Sequence, residues 1–161
     1  MNNKKVISIL LGIIPLLFLG YYAYQNLSGN TDYMLTYLEE TYEIKYEYNL
    51  LDQQGYQIED QEEWLVFTRD VFIPSLENII AKSEAYGHAI EKEELRDIHS
   101  IYDQALRKHL EAENAWLAGK EDEVVKLYEE LDRLHTEHEE ALDKLATKWG
   151  VEIEWEDLES Q

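Results

Sequence analysis

The chain has 161 residues, 14 Lys and Arg against 35 Asp and Glu, a formal net charge of −21, and no cysteine. The lack of thiols excludes disulfides, thiolate metal sites, cysteine nucleophiles and the lipid-bearing cysteine of bacterial lipoproteins. The acid excess argues against nucleic acid as a partner, because binding phosphates needs Lys and Arg to displace condensed counterions.

Val6 to Tyr24 reads VISILLGIIPLLFLGYYAY, 19 residues without a charge. As a helix rising about 1.5 Å per residue it reaches nearly the ~30 Å of a bilayer's hydrocarbon core. Lys4 and Lys5 precede it. Positive flanks stay cytoplasmic, so the expectation is a single-pass protein of the cell membrane, N-terminus cytoplasmic and C-terminal domain extracytoplasmic. The stretch exceeds the ~7–15 apolar residues of a secretory signal, and Tyr21 two residues before Ala23 makes a poor cleavage context. Asn26-Leu27-Ser28 offers only a weak site, whereas Tyr21, Tyr22 and Tyr24 fit an interfacial aromatic belt. An uncleaved transmembrane helix follows, passively kinked at Pro15. Residues 1–30 are then a cytoplasmic stub, anchor and linker. Residues 31–161 form an acidic extracytoplasmic helical domain that holds all 35 acids and 12 of the basic residues, a formal charge of −23.

After the turn-forming Leu27-Ser28-Gly29-Asn30, either Asn30 or Thr31 can cap a helix. Met34, Leu38, Tyr42, Tyr46 and Leu50 recur at four-residue steps and make a helical face, yet Tyr42 to Tyr48 also alternates as a strand does. With helices on both sides, helix is the expectation. Asp52-Gln53-Gln54-Gly55 is expected to break that element. Asp60 with Glu63 resembles a capping box, and Trp64, Leu65, Phe67, Val71, Phe72, Leu76, Ile79 and Ile80 give the next helix a broad apolar face. Pro74 either bends this helix or opens a second one, and Gly87 is the expected terminator.

The clearest patterns come next. Leu95, Ile98, Tyr102, Ala105, His109, Ala112 and Trp116 step by three and four, and so do Val124, Leu127, Leu131, Leu134, His138, Ala141 and Leu145. These are two heptad seams. Gly119-Lys120 joins them, so the helices form an antiparallel hairpin, with acids crowding the first turn of the second and Gly150 just past its end. Val151 to Trp155 alternates as a short strand, with Tyr42 to Tyr48 as a conceivable pairing partner.

Chemistry-bearing residues are few. Among His88, His99, His109, His135 and His138 none has a glutamate three residues before it, the spacing that di-metal helical bundles use. His135 and His138 are three apart with Glu139 beside them, which would suit one shared cation. His109 and His138 fall on the two seams, where facing imidazoles would make the hairpin sensitive to pH near 6. Ser75, Ser83 and Ser100 lack a nucleophile-elbow context. Tyr33, Tyr37, Tyr42, Tyr46, Tyr48 and Tyr56 form a dense cluster that serves either a core or a partner surface.

The sequence therefore leads to an all-α protein with a single N-terminal transmembrane helix, followed by an antiparallel bundle of about four helices. No catalytic residue, cofactor or metal ligand is assigned. The expected role is non-enzymatic: an interaction or accessory module on the outer face of a bacterial membrane, held by Val6 to Tyr24 and contacting a protein partner. The alternative is a metal-binding bundle or enzyme using His135, His138 and nearby carboxylates.

Overall fold

A computed structural model describes residues 16–19 and 29–154; for residues 16–19 and for Glu154 it describes the backbone path alone. The elements in order are β1 (Leu16–Leu19), α1 (Asn30–Tyr56), α2 (Gln61–Phe67), a π turn (Thr68–Phe72), α3 (Ile73–Ala89), α4 (Glu93–Leu117), α5 (Glu121–Lys148) and β2 (Val151–Glu154). Because α2, the π turn and α3 follow one another without a break, the described helices form four rods packed as a bundle.

The 3–4 periodicity of α4 and α5 does what it predicts. Leu95, Ile98, Tyr102, Ala105, His109 and Ala112 are buried on α4, and Leu131, Leu134, His138 and Leu145 on α5. The turn between them closes on Gly119, whose φ of 69° lies in the left-handed region where a Cβ would be strained. Gly119 N–H donates to the Trp116 carbonyl and Lys120 N–H to that of Ala115, the bond pattern of a Schellman stop. At the head of α2, the Asp60 carboxylate accepts from the Glu62 and Glu63 amides at 3.0 and 2.9 Å. Pro74 stands in the first turn of α3, as one of its two expected placements has it, yet the rod runs on unbroken through it. The rod widens into the π turn just before it, with Ile73 N–H reaching back five residues to the Thr68 carbonyl. That widening eases the clash between a proline ring and the carbonyl four residues earlier.

Tyr42 to Tyr48 is helical, as expected, but the buried face of α1 is not the four-residue stripe. It runs Met34, Tyr37, Thr41, Ile44, Tyr48, Leu51, Gly55, a true three-four alternation. A strict step of four overshoots the 3.6-residue turn, so Tyr46 and Leu50 drift outward to 44% and 43% exposure. Nor does Asp52 to Gly55 break α1, which runs on to Tyr56. Gly55 is small because a Cβ there would stand 2.7 Å from the Trp64 ring. Gly87 likewise does not terminate α3. It lies inside the helix, where a Cβ would come 3.0 Å from His99 Cδ2. Neither Asn30 nor Thr31 caps α1; the Thr31 hydroxyl donates instead to the Trp149 carbonyl at 2.8 Å, tying the start of α1 to the end of α5.

Of the apolar stretch Val6 to Tyr24, only Leu16–Leu19 is described, and it is extended rather than helical. It pairs antiparallel with β2, Leu16 opposite Glu154 and Leu19 opposite Val151. This corrects the pairing of β2 with Tyr42 to Tyr48. The acids of β2 stand opposite uncharged residues here, whereas Glu43 and Glu47 would have faced them there. The rest of Val6 to Tyr24, and Trp155, lie outside the described residues. Among the described residues no helix is long and apolar enough to cross a membrane.

The largest apolar cluster gathers at the end of the bundle where β2 lies. Met34, Tyr37, Leu38, Ile90, Leu95, Ile98, Leu142, Leu145, Ala146, Trp149, Val151 and Ile153 form it, so the start of α1 and the chain after α5 meet there. A second cluster, from Ile44 to Leu106, joins α1, α3 and α4. The closest backbone packing is α4 on α5, then α3 on α4 and α1 on α3. Between α1 and α5 the backbones pack less closely than in any of these pairs.

Candidate functional site: a polar seam opening into an acidic cleft

Helix α4 carries two histidines ten residues apart, His109 on the heptad seam and His99 beside it, each followed by an acid one turn later: His99 with Asp103, His109 with Glu113. In both pairs Nε2 lies 3.5 Å from the carboxylate. Residues in α1 eleven apart meet them from the other side. The Tyr37 hydroxyl donates to His99 Nδ1 at 3.3 Å, and the Tyr48 hydroxyl and His109 Nδ1 share a hydrogen bond of 2.7 Å. The ring geometries repeat as well, at 5.8 Å and 88° for the first pair and 5.7 Å and 87° for the second. Three helical turns of two parallel helices therefore repeat one Tyr–His–acid relay.

The first relay is closed. His99 Nε2 donates to the Ser83 carbonyl at 2.8 Å, and the Ser83 hydroxyl donates to Asp103 at 2.5 Å. Serine, histidine and aspartate thus come together, yet both imidazole nitrogens are committed and none is free to take a serine proton. The group clamps α1, α3 and α4 rather than activating a nucleophile. Burial depresses the His99 pKa, with the Ser83 carbonyl and Asp103 opposing the shift, so this imidazole stays neutral.

The second relay borders a cleft. Glu113 is 3% exposed and accepts from the Tyr128 hydroxyl as well as facing His109. Burial and that carboxylate together raise the Tyr128 pKa. Beside them lies a cleft of about 460 Å³, walled by α1, α2, α4 and α5. Its acids are Asp52, Glu113, Asp132 and Glu139, and its aromatic rings include Tyr48, Tyr56, Trp64 and Tyr128. Burial pushes the pKa values of Asp52 and Glu139 upward; His109 opposes the first shift and Lys45 the second. Tyr56 stands out from the rim at 82% exposure. Carboxylates interleaved with electron-rich ring faces suit a cationic group.

The histidines singled out from sequence do not assemble as anticipated. The antiparallel register places His109 against Tyr128 and His138 against Tyr102, so the two seam imidazoles do not face each other. His138 is buried, with Nε2 lacking a protein partner. His135, half-buried, lies against Tyr48 and Tyr102, and His88 is exposed. Among the described residues no three His, Asp or Glu side chains converge as metal ligands. Burial lowers the His135 pKa to about 4, aided by His109, and drives that of His138 well below its ordinary value, aided by Lys45.

Lys45 escaped the sequence reading. It is 2% exposed, its Nζ has no hydrogen-bond partner, and it lies 5.4 Å from the centroid of the Tyr102 ring. Burial lowers its pKa to about 7 against the pull of Glu139. Its one sequence signal is placement: it falls beside Ile44 on the three-four face of α1, which the four-residue stripe conceals. The tyrosine cluster divides in the same way, Tyr37 and Tyr48 going to the core and Tyr46 and Tyr56 to the surface.

Comparison with family models, with curated proteins and with solved structures finds no match to this chain.

Proposed function

We propose that the protein is a non-enzymatic interaction module, tethered to a membrane through Val6 to Tyr24, that receives a basic segment of a protein partner in the cleft between α1 and α5. The observation that carries the reading is the cleft itself: about 460 Å³ lined by four carboxylates and several aromatic rings, in a domain of charge −23. A field of that sign speeds encounter with cations and repels anionic surfaces. The cleft begins at Tyr48, about 30 Å along α1 from Asn30. With the anchor at the N-terminal end, the cleft would lie at the part of the domain remote from the bilayer, within reach of an extracytoplasmic partner.

Membrane insertion and the β1–β2 ladder exclude one another for Leu16–Leu19. Magnitude decides between them in a cell. A four-residue ladder at a sheet edge competes with transfer of an uncharged 19-residue stretch, in which each Leu, Ile, Phe or Val contributes about 0.3–0.6 kcal/mol toward insertion. Insertion wins when a bilayer is present. Protease added to intact cells should remove the domain, and protection of the domain would refute the topology.

The binding reading is tested with the full chain in detergent and a lysine-rich peptide. Asp52→Asn with Asp132→Asn and Glu139→Gln should weaken binding at least about tenfold. Neutralising Glu39, Glu40 and Glu43, exposed on α1 away from the cleft, removes the same number of charges and should leave most of the affinity. Equal losses from the two triple variants would reduce the interaction to unspecific charge attraction and overturn the assignment.

A further inference from the structure

We propose that Lys45 Nζ, Tyr102 Oη and His138 Nε2 form an internal site for a small inorganic anion of about the size of chloride. Each of these three residues is only 2% exposed, and each presents a buried polar atom with no hydrogen-bond partner in the protein. They are neighbours drawn from three helices. Lys45 Nζ stands 5.4 Å from the Tyr102 ring centroid, and that ring lies 5.3 Å from the His138 imidazole. Native interiors leave few such atoms unpaired, and three side by side call for a common partner.

The chemistry of the three atoms selects that partner. An ammonium has three donors and no acceptor, a phenol hydroxyl can donate, and Nε2 donates in one tautomer. All three are satisfied at once by a group that only accepts. A buried ammonium without a counter-charge costs several kcal/mol, which makes an anion a better fit than a neutral acceptor. Glu139 is the carboxylate that acts on Lys45, yet the two form no ion pair. None of the three residues lines the cleft, so the occupant is small and enclosed rather than the tip of a large ligand.

The groups facing the site set its pH dependence. From α4 they are His99, with Tyr86 of α3 and Asp103 beside it, and Tyr102; from α5 they are His135, His138 and Glu139. An anion favours the protonated forms of Lys45 and His138, so it binds more tightly as pH falls. Glu139 opposes the anion while ionised and ceases to when protonated, which acts in the same direction.

The full chain in detergent is melted in sodium chloride and in sodium gluconate at equal ionic strength, gluconate being too large to enter. Chloride about tenfold above its dissociation constant should raise Tm by about 3 °C. The rise should be larger near pH 6 than near pH 8.5, absent in Lys45→Met and reduced in Tyr102→Phe. Crystals soaked in bromide should show an anomalous peak between the three atoms; this readout stands even if a variant fails to fold. Equal melting in the two salts, or an anomalous map without a peak there, would overturn the proposal and leave water as the occupant.

Discussion

The two Tyr–His–acid relays share one geometry and live in different surroundings. At the end where β2 lies, His99 is sealed by Ser83, Tyr86 and the cluster around Trp149. Toward the far end, the same arrangement at His109 borders a cleft. One sequence device, a histidine and an acid one turn apart on α4 met by a tyrosine from α1, thus serves as a clamp in one place and as a cleft wall in the other. The difference lies in what the neighbouring helices supply. α3 covers the first relay with Ser83, whereas the second meets Tyr128 of α5 and the Phe72 ring and borders the cleft.

Trp149→Ala should widen that contrast the most. It removes a large side chain that is 1% exposed and unties the closed end, at a loss of about 3–5 kcal/mol in a urea titration. The opposite sign is expected in the polar seam. Lys45→Met replaces an unpaired buried ammonium by an apolar chain of similar length, and in chloride-free buffer near pH 7 it should gain about 2 kcal/mol. A loss there would show that Lys45 already has its counter-charge in the folded protein.

Acid should distinguish the regions next. Histidines whose folded pKa lies below the unfolded value bind fewer protons when folded, so stability falls as pH drops. For His135 that window runs from the ordinary 6.5 down to about 4. The raised carboxyl pKa values of Asp52 and Glu139 act with the opposite sign at the acid end of the window. Unfolding free energies from urea titrations at pH 7 and 5 should therefore differ by about 1–2 kcal/mol, and His135→Phe should reduce the difference. Lys45 has its own window at higher pH: its folded pKa of about 7 lies below the ordinary 10.5, so stability rises with pH between them, a rise that Lys45→Met abolishes.

Removing each relay's hydroxyl should have an effect no larger than that of acid. Tyr37→Phe strands His99 Nδ1 in a sealed site and should cost about 1–2 kcal/mol, whereas Tyr48→Phe, beside the cleft, lets water take the vacated bond and should cost under about 1 kcal/mol. Equal costs would mean that the second relay is as dry as the first. Tyr56→Ala, at 82% exposure, should leave the melting curve unchanged within about 0.5 kcal/mol while weakening binding of the lysine-rich peptide.

How far the residues alone could carry the reading is clearest on α4 and α5. There the apolar positions keep a three-four step, and local periodicity was enough to place two helices, their turn and their antiparallel sense. Helix α1 shows the opposite case. Its seam is interrupted by Thr41 and Gly55 with Lys45 alongside, so the tyrosines and leucines next to it suggested a different stripe. Those polar and small residues make sense only beside their partners: Trp64 over Gly55, Tyr102 beside Lys45, His99 against Gly87. The histidines were visible from the start, but their roles depended on register. The hairpin sets Tyr102 against both His135 and His138 and leaves His109 to Tyr48 and Tyr128.

What the sequence by itself determined, then, was the helical class, the hairpin, the acidity and the apolar stretch at the start, because these follow from residue type and spacing along one chain. Only the tertiary structure decided which helices part to leave a cleft, which histidine meets which tyrosine, and that Lys45 lies buried. Those outcomes depend on contacts between residues some sixty to ninety positions apart, and no local period encodes such distances.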